Sequence, residues 1–165
     1  MRMRLLSFGS IALALAVSAE VTTSAASPKV QTSLTAVDAG IFTFLGPSSA
    51  SVAGDGFEKQ GLGINRKVGS SGQFDLLGPA TRCAEGFTGR LVGSFVEASG
   101  DTFSYTIDNQ LCPTGEAGVY SAEGTYTITG GTGKYAKVKG GGLFQGLADF
   151  VEEKYKCLLV GTISY

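Results

Sequence analysis

The chain has 165 residues, of which 43% are apolar, 16% charged and 10% aromatic, with 25 glycines and neither His nor Trp. That length suits one domain with a sizeable core, and the missing His excludes imidazole bases, imidazole metal ligands and histidine pH switches. A formal net charge of −1, from 13 basic and 14 acidic residues, argues against an electrostatic nucleic-acid partner.

Arg2 and Arg4 precede an apolar stretch from Leu5 to Val17, which is shorter than the roughly 20 residues a spanning helix needs. A basic start, a short apolar run and small residues at Val17-Ser18-Ala19 together predict a signal peptide over residues 1–19, with Ser24-Ala25-Ala26 as a second cleavage candidate. No later stretch approaches membrane-spanning length, so the mature protein is expected to be secreted or periplasmic. Cleavage after Ala19 removes Arg2 and Arg4 and takes the formal net charge from −1 to −3. Residues 20–39 read as a flexible mature N-terminus and residues 40–165 as the folded domain.

Within that domain Gly40 to Leu45 is a candidate strand, whereas Ser48 to Gln60 has turn-forming composition and reads as a loop or frayed strand. Gly61 to Val68 and Gln73 to Leu77 are weaker strand candidates. Phe87 to Glu97 and Thr102 to Ile107 alternate large and small or polar residues, and they read as two strands joined through Ala98-Ser99-Gly100-Asp101. Residues 120–129 alternate most cleanly: Tyr120, Ala122, Gly124, Tyr126 and Ile128 share one face, and Ser121, Glu123, Thr125, Thr127 and Thr129 the other. Gly142 to Phe150 and Tyr155 to Tyr165 complete the set. Helical periodicity is absent after the leader. Short strands with glycines inside them, at Gly89, Gly93, Gly124 and Gly161, predict an all-β fold, and a barrel rather than a sandwich.

In an oxidising compartment Cys83, Cys112 and Cys157 imply one disulfide and one leftover thiol. Cys83 and Cys112 fall near the open end of the hairpin on neighbouring strands and are the first choice of pair; the other two pairings stay open. Cys157 sits in an apolar strand and reads as a buried thiol. Without a C-x-x-C pair or His, no metal site is expected.

Gly130-Gly131-Thr132-Gly133-Lys134 lacks the Walker spacing, since position 128 is Ile and Tyr135 follows the lysine. It reads as a tight turn between strands that depends on Gly130, Gly131 and Gly133, with positive φ expected at Gly131. No spacing marks a carboxylate pair for acid–base work, and no G-x-S-x-G elbow or Cys-His pair exists, so no catalytic residue is assigned. Tyr105, Tyr120 and Tyr126 face a common interior if their strands pair. There they either pack the core or line a cavity for a small apolar ligand.

The run Gly124-Thr125-Tyr126-Thr127-Ile128-Thr129-Gly130-Gly131-Thr132-Gly133-Lys134-Tyr135, a later Gly140, and the terminal Leu159-Val160-Gly161-Thr162-Ile163-Ser164-Tyr165 resemble the allene oxide cyclase/dirigent barrel superfamily, in particular its small exported bacterial members. The resemblance implies an eight-stranded antiparallel β-barrel with an apolar cavity, often oligomeric, so a homo-oligomer is expected. The plant enzymes of that superfamily cyclise a fatty-acid epoxide or guide phenoxy-radical coupling, and they need no metal or organic cofactor. Their cyclase cavity includes a proline and an asparagine in an early strand. Asn65, in Gly61-Leu62-Gly63-Ile64-Asn65-Arg66-Lys67, matches the asparagine; no proline precedes it nearby. The expected function is a non-catalytic barrel that binds a small ligand or serves as a surface scaffold. The alternative is a cofactor-free isomerase or coupling guide acting on an apolar substrate.

Overall fold

The computed structural model describes residues 30–165, so the leader, its cleavage sites and residues 20–29 lie outside the described residues. Eight strands follow in chain order: β1 (Gln31–Gly46), β2 (Ser49–Gln60), β3 (Arg66–Pro79), β4 (Phe87–Glu97), β5 (Thr102–Pro113), β6 (Val119–Gly131), β7 (Lys139–Asp149) and β8 (Lys154–Ser164). Each pairs antiparallel with the next and β8 returns to β1, which closes the sheet into an up-and-down barrel. Closure leaves no free sheet edge. Among the described residues the one helical element is a 3-10 turn, Gly133–Tyr135. Among the described residues no helix is long and apolar enough to cross a membrane.

Strand identity follows from the period of two. On β5, Phe103, Tyr105, Ile107, Asn109 and Leu111 are buried and their neighbours face outward. The same alternation on β1 buries Leu34, Ala36, Asp38 and Phe42. Residues 31–39, expected as part of a flexible tail, are therefore the first nine positions of a strand. β2 is a second correction. Its Gly, Ser and Asp content reads as a loop or frayed strand, but every residue pairs in register with β1 on one side or β3 on the other, and ladder pairing outweighs weak strand propensity. Gly61 to Val68 is not one strand: residues 61–65 make the β2–β3 turn and β3 begins at Arg66, running on to include Gln73 to Leu77.

The glycine-rich run also differs from expectation. Gly130 and Gly131 end β6, and positive φ occurs at Gly133 (φ 54), not at Gly131. Gly131 is required for another reason: a Cβ there would collide with the Thr102 carbonyl oxygen and lie 2.6 Å from Tyr135 Cβ. It lets the 132–138 segment fold back so that Tyr135 plugs one end of the barrel, fully buried against Phe103.

That end, where β1 starts, is called here the lower end; it carries the segments 61–65, 98–101 and 132–138. The upper end carries 47–48, 80–86, 114–118 and 150–153. A disulfide joins Cys83 to Cys112 with Cα atoms 5.9 Å apart. Cys83 lies on the 80–86 connection at the upper end, not on a strand, and the bond ties that connection to β5. Cys157 is free and half-buried.

The outer wall is two-sided in chemistry. Over β3 to β6 it presents mainly Ser, Thr, Gln, Arg, Asp and Glu, with Leu77, Val92 and Val96 as exposed aliphatic exceptions. Over β7, β8, β1 and β2 it exposes Leu143, Val160, Val37, Ile41 and Phe57. Phe57, Val37 and Leu158 stand directly opposite one another across β2, β1 and β8.

Candidate functional site

The upper half of the barrel encloses a lumen of about 50 Å³. Asp38, Tyr105, Asn109, Tyr155 and Cys157 supply its polar groups, and Phe74, Leu91, Leu111 and Phe144 are among its apolar walls. Fully formed small-molecule pockets are larger, roughly 300 Å³ and up. This one is room for a water-sized group until its aromatic roof moves. The roof is Phe42, Phe150 and Tyr120, with Phe42 packed on Phe150 (5.5 Å) and on Tyr155 (5.4 Å), and Tyr120 on Phe150 (5.2 Å).

Missing side chains make the polar group reachable. Asp38 on β1 stands opposite Gly56 on β2 and Cys157 on β8. Because Gly54 and Gly56 carry no side chains, the Asp38 carboxylate passes β2 and meets Ser70 on β3. Ser70 Oγ donates to Asp38 Oδ2 at 2.7 Å, Tyr155 Oη donates to the same oxygen at 2.9 Å, and the two hydroxyls lie 3.0 Å apart. A Cβ at Gly54 would stand 2.6 Å from Tyr155 Oη. Tyr105 sits over Gly93 and Tyr126 over Gly161 in the same way, with gaps of 3.0 and 2.7 Å to a notional Cβ.

Among the described residues three buried side-chain polar atoms have no partner: Asp38 Oδ1, Asn109 Oδ1 and Tyr126 Oη. Asp38 and Asn109 are only 5% and 8% exposed, and a buried acceptor left unpaired costs about 1–3 kcal/mol. Asp38 and Asn109 both line the lumen. Burial, with the Asp38 charge adding to it, pushes the Cys157 thiol up to about 12, so it is a neutral thiol and not a nucleophile at neutral pH. Burial likewise raises Tyr155, Tyr105 and Tyr126, the last to about 12. The lumen therefore offers hydroxyl donors and two free acceptors inside an apolar shell.

The four residues singled out from sequence are dispersed. Tyr105 lines the lumen; Tyr120 belongs to its roof; Tyr126 is buried but outside the lining. Asn65 is exposed in the β2–β3 turn at the opposite end, so it corrects to a surface residue, and the lumen asparagine is Asn109. Asp38, Ser70 and Tyr155 were missed. The available signal was the small and apolar alternation of Leu34, Ala36, Gly40 and Phe42, which places Asp38 on the inner face.

A second polar group closes the lower end. Tyr135 Oη lies 2.5 Å from Glu97 Oε1, 2.8 Å from Glu58 Oε1 and 2.9 Å from Gln60 Nε2. Lys134 Nζ donates to both Glu97 oxygens at 2.6 Å, and Arg66 approaches Glu58 and Glu97 at 3.5 and 3.7 Å. The one hydroxyl proton of Tyr135 is shared between two carboxylates. Burial and the neighbouring Glu97 raise Glu58. Burial acts against Glu97 as well, but bonds with Glu58, Lys134 and Tyr135 outweigh it and hold that carboxyl at about 2. Glu58 is therefore the member pushed toward the protonated form, and Glu97 the one held as the anion. All its members are paired, and the group is a plug. Among the described residues no three His, Cys, Asp or Glu side chains stand together as a metal site.

Among solved structures the chain is similar to that of a pterocarpan synthase dirigent protein, at 17% sequence identity and a TM-score of 0.45, over 89% of this chain and 99% of the other. No protein-family model and no curated protein matches it.

Proposed function

We propose that this is an exported small-molecule-binding barrel whose lumen takes an apolar molecule carrying a hydrogen-bond donor. The observation that carries the reading is a pair of unpartnered acceptors, Asp38 Oδ1 and Asn109 Oδ1, on two residues that line one apolar lumen. A hydroxyl group delivered there would pair an orphaned oxygen, while its hydrocarbon part would displace the Phe42–Phe150 roof. The Cys83–Cys112 disulfide supports an oxidising, exported setting. The apolar outer wall from β7 to β2 supports association of copies side by side, because exposed apolar patches of this kind mark interfaces.

Thermal melting with 4-methylphenol and with toluene tests the lumen. The phenol is expected to raise the melting temperature more than toluene, and Asn109→Leu and Asp38→Asn should reduce that difference. Equal effects of both compounds would remove the acceptor pair from the account. Catalysis is a second reading favoured by one feature: the free Asp38 oxygen, set among hydroxyls, is placed to take a proton from a bound ligand. In that reading Asp38→Asn would abolish turnover while leaving binding of the neutral ligand.

A further inference from the structure

The two ends of the barrel differ in charge and in what they expose. At the lower end stand Lys59, Arg66, Lys67, Lys134, Lys137 and Lys139, and the connecting segments there hold one acid, Asp101. At the upper end stand Glu85, Glu116, Asp149, Glu152 and Glu153 with two cations, Arg82 and Lys154, each of them paired to a carboxylate, Glu123 and Glu152. Two of the lower cations are partly engaged with the buried Glu58 and Glu97, while Lys59, Lys67, Lys137 and Lys139 are exposed. From the middle of this basic ring the β2–β3 turn carries Leu62 and Ile64 past the last ladder pair, at 105% and 78% exposure. Both side chains stand in solvent, in a turn where polar residues would cost nothing.

We propose that the lower end docks on an anionic phospholipid surface, with Leu62 and Ile64 entering the headgroup–acyl boundary and the lysine ring facing the lipid phosphates. Exposed aliphatics and cations at one place are the two components of interfacial binding, and each alone gives weak attachment. An acidic polymer would satisfy the lysines but offer the two aliphatic tips nothing. The upper end supplies an internal control: Val151 is also well exposed there, but it adjoins Glu152 and Glu153. Docking by the lower end leaves the aromatic roof facing away from the membrane, so the proposal stands apart from the lumen reading and either can fail alone.

The test is co-sedimentation of the processed form, residues 20–165, with phosphatidylcholine vesicles with and without phosphatidylglycerol. Binding is expected only to the anionic vesicles and should weaken with salt. At about one kcal/mol per lysine near such a surface, Lys137→Gln with Lys139→Gln should lower the partition coefficient roughly thirtyfold. Leu62→Asp with Ile64→Asp should lower it by at least about tenfold, whereas Val151→Asp should leave it unchanged. Melting temperatures of all variants should match the parent, since none of these side chains is buried. Equal binding to neutral vesicles, no binding to either, or full binding by the Leu62/Ile64 variant would overturn the proposal. Retention on heparin that is insensitive to the Leu62/Ile64 change, without vesicle binding, would do so in favour of an acidic polymer.

Discussion

Replacing Tyr135 with Phe removes a single oxygen that three groups share at the lower end. The ring stays packed on Phe103, so no cavity of consequence is left. The lost bonds are those to Glu97 at 2.5 Å, Glu58 at 2.8 Å and Gln60 at 2.9 Å. Hydrogen bonds to charged groups contribute about 1.5–3 kcal/mol and neutral ones about 1. Lys134 still holds Glu97, so a net loss of about 3 kcal/mol is expected. For a domain of this size that is a fall in melting temperature of about 10 °C. The pH profile is the sharper readout. Glu58 is raised in the folded state, so its contribution is complete below the ordinary glutamate value of 4.5 and is lost as pH rises through the folded value. Glu97 is held at about 2, so its contribution is present above 4.5 and is lost as pH falls towards 2. Stability should therefore peak in mildly acidic solution and fall on both sides. Glu58→Gln, which keeps a neutral group in place, should remove the alkaline fall and leave the acid one. Differential scanning calorimetry of the parent, Tyr135→Phe and Glu58→Gln over this range decides the matter. A Tyr135→Phe protein melting within about 2 °C of the parent, or an alkaline fall that survives Glu58→Gln, would refute the shared-proton account.

Three further outcomes follow from the geometry. Cys83→Ala with Cys112→Ala opens a cross-link spanning 29 residues of sequence, for which chain entropy predicts about 3.5 kcal/mol of lost stability, measurable by denaturant unfolding. Gly131→Val forces a side chain into the Thr102 carbonyl and Tyr135; a loss of about 3 kcal/mol is expected, together with exposure of Tyr135 to near-ultraviolet circular dichroism. Val37→Glu sets a charge at the centre of the Phe57–Val37–Leu158 row; under the proposed side-by-side association the parent should sediment as an oligomer and this variant as a monomer, with no lower melting temperature.

What the sequence disclosed depended on how unambiguous each strand face is. On β5 and β6 large apolar residues alternate with Thr, Ser and Asp, so both the strands and their inward faces are legible. β2 was illegible because Gly54, Asp55 and Gly56 carry turn propensity, and the pairing that makes them a strand comes from β1 and β3, which no local pattern encodes. Those same glycines make the space across which Asp38 meets Ser70. Asp38 itself breaks the apolar period of β1, and Asn109 follows Asp108 in what resembles a turn signal. The lower plug draws Glu58, Glu97 and Tyr135 from β2, β4 and the 132–138 segment, a meeting that only barrel closure brings about. Of the Gly130 to Gly133 run, Gly130 has open space around it and no positive φ, so the turn does not depend on it; the demand at Gly131 is close backbone approach, and positive φ falls at Gly133.

The most direct measurement is of intermolecular nuclear Overhauser effects between 4-methylphenol and the isotopically labelled protein. Contacts from its methyl and ring protons to Phe74, Tyr105 and Phe144, which surround the lumen, are the predicted result. Contacts confined to Val37, Phe57 and Leu158 on the outer wall, or none at all, would contradict a ligand-binding interior.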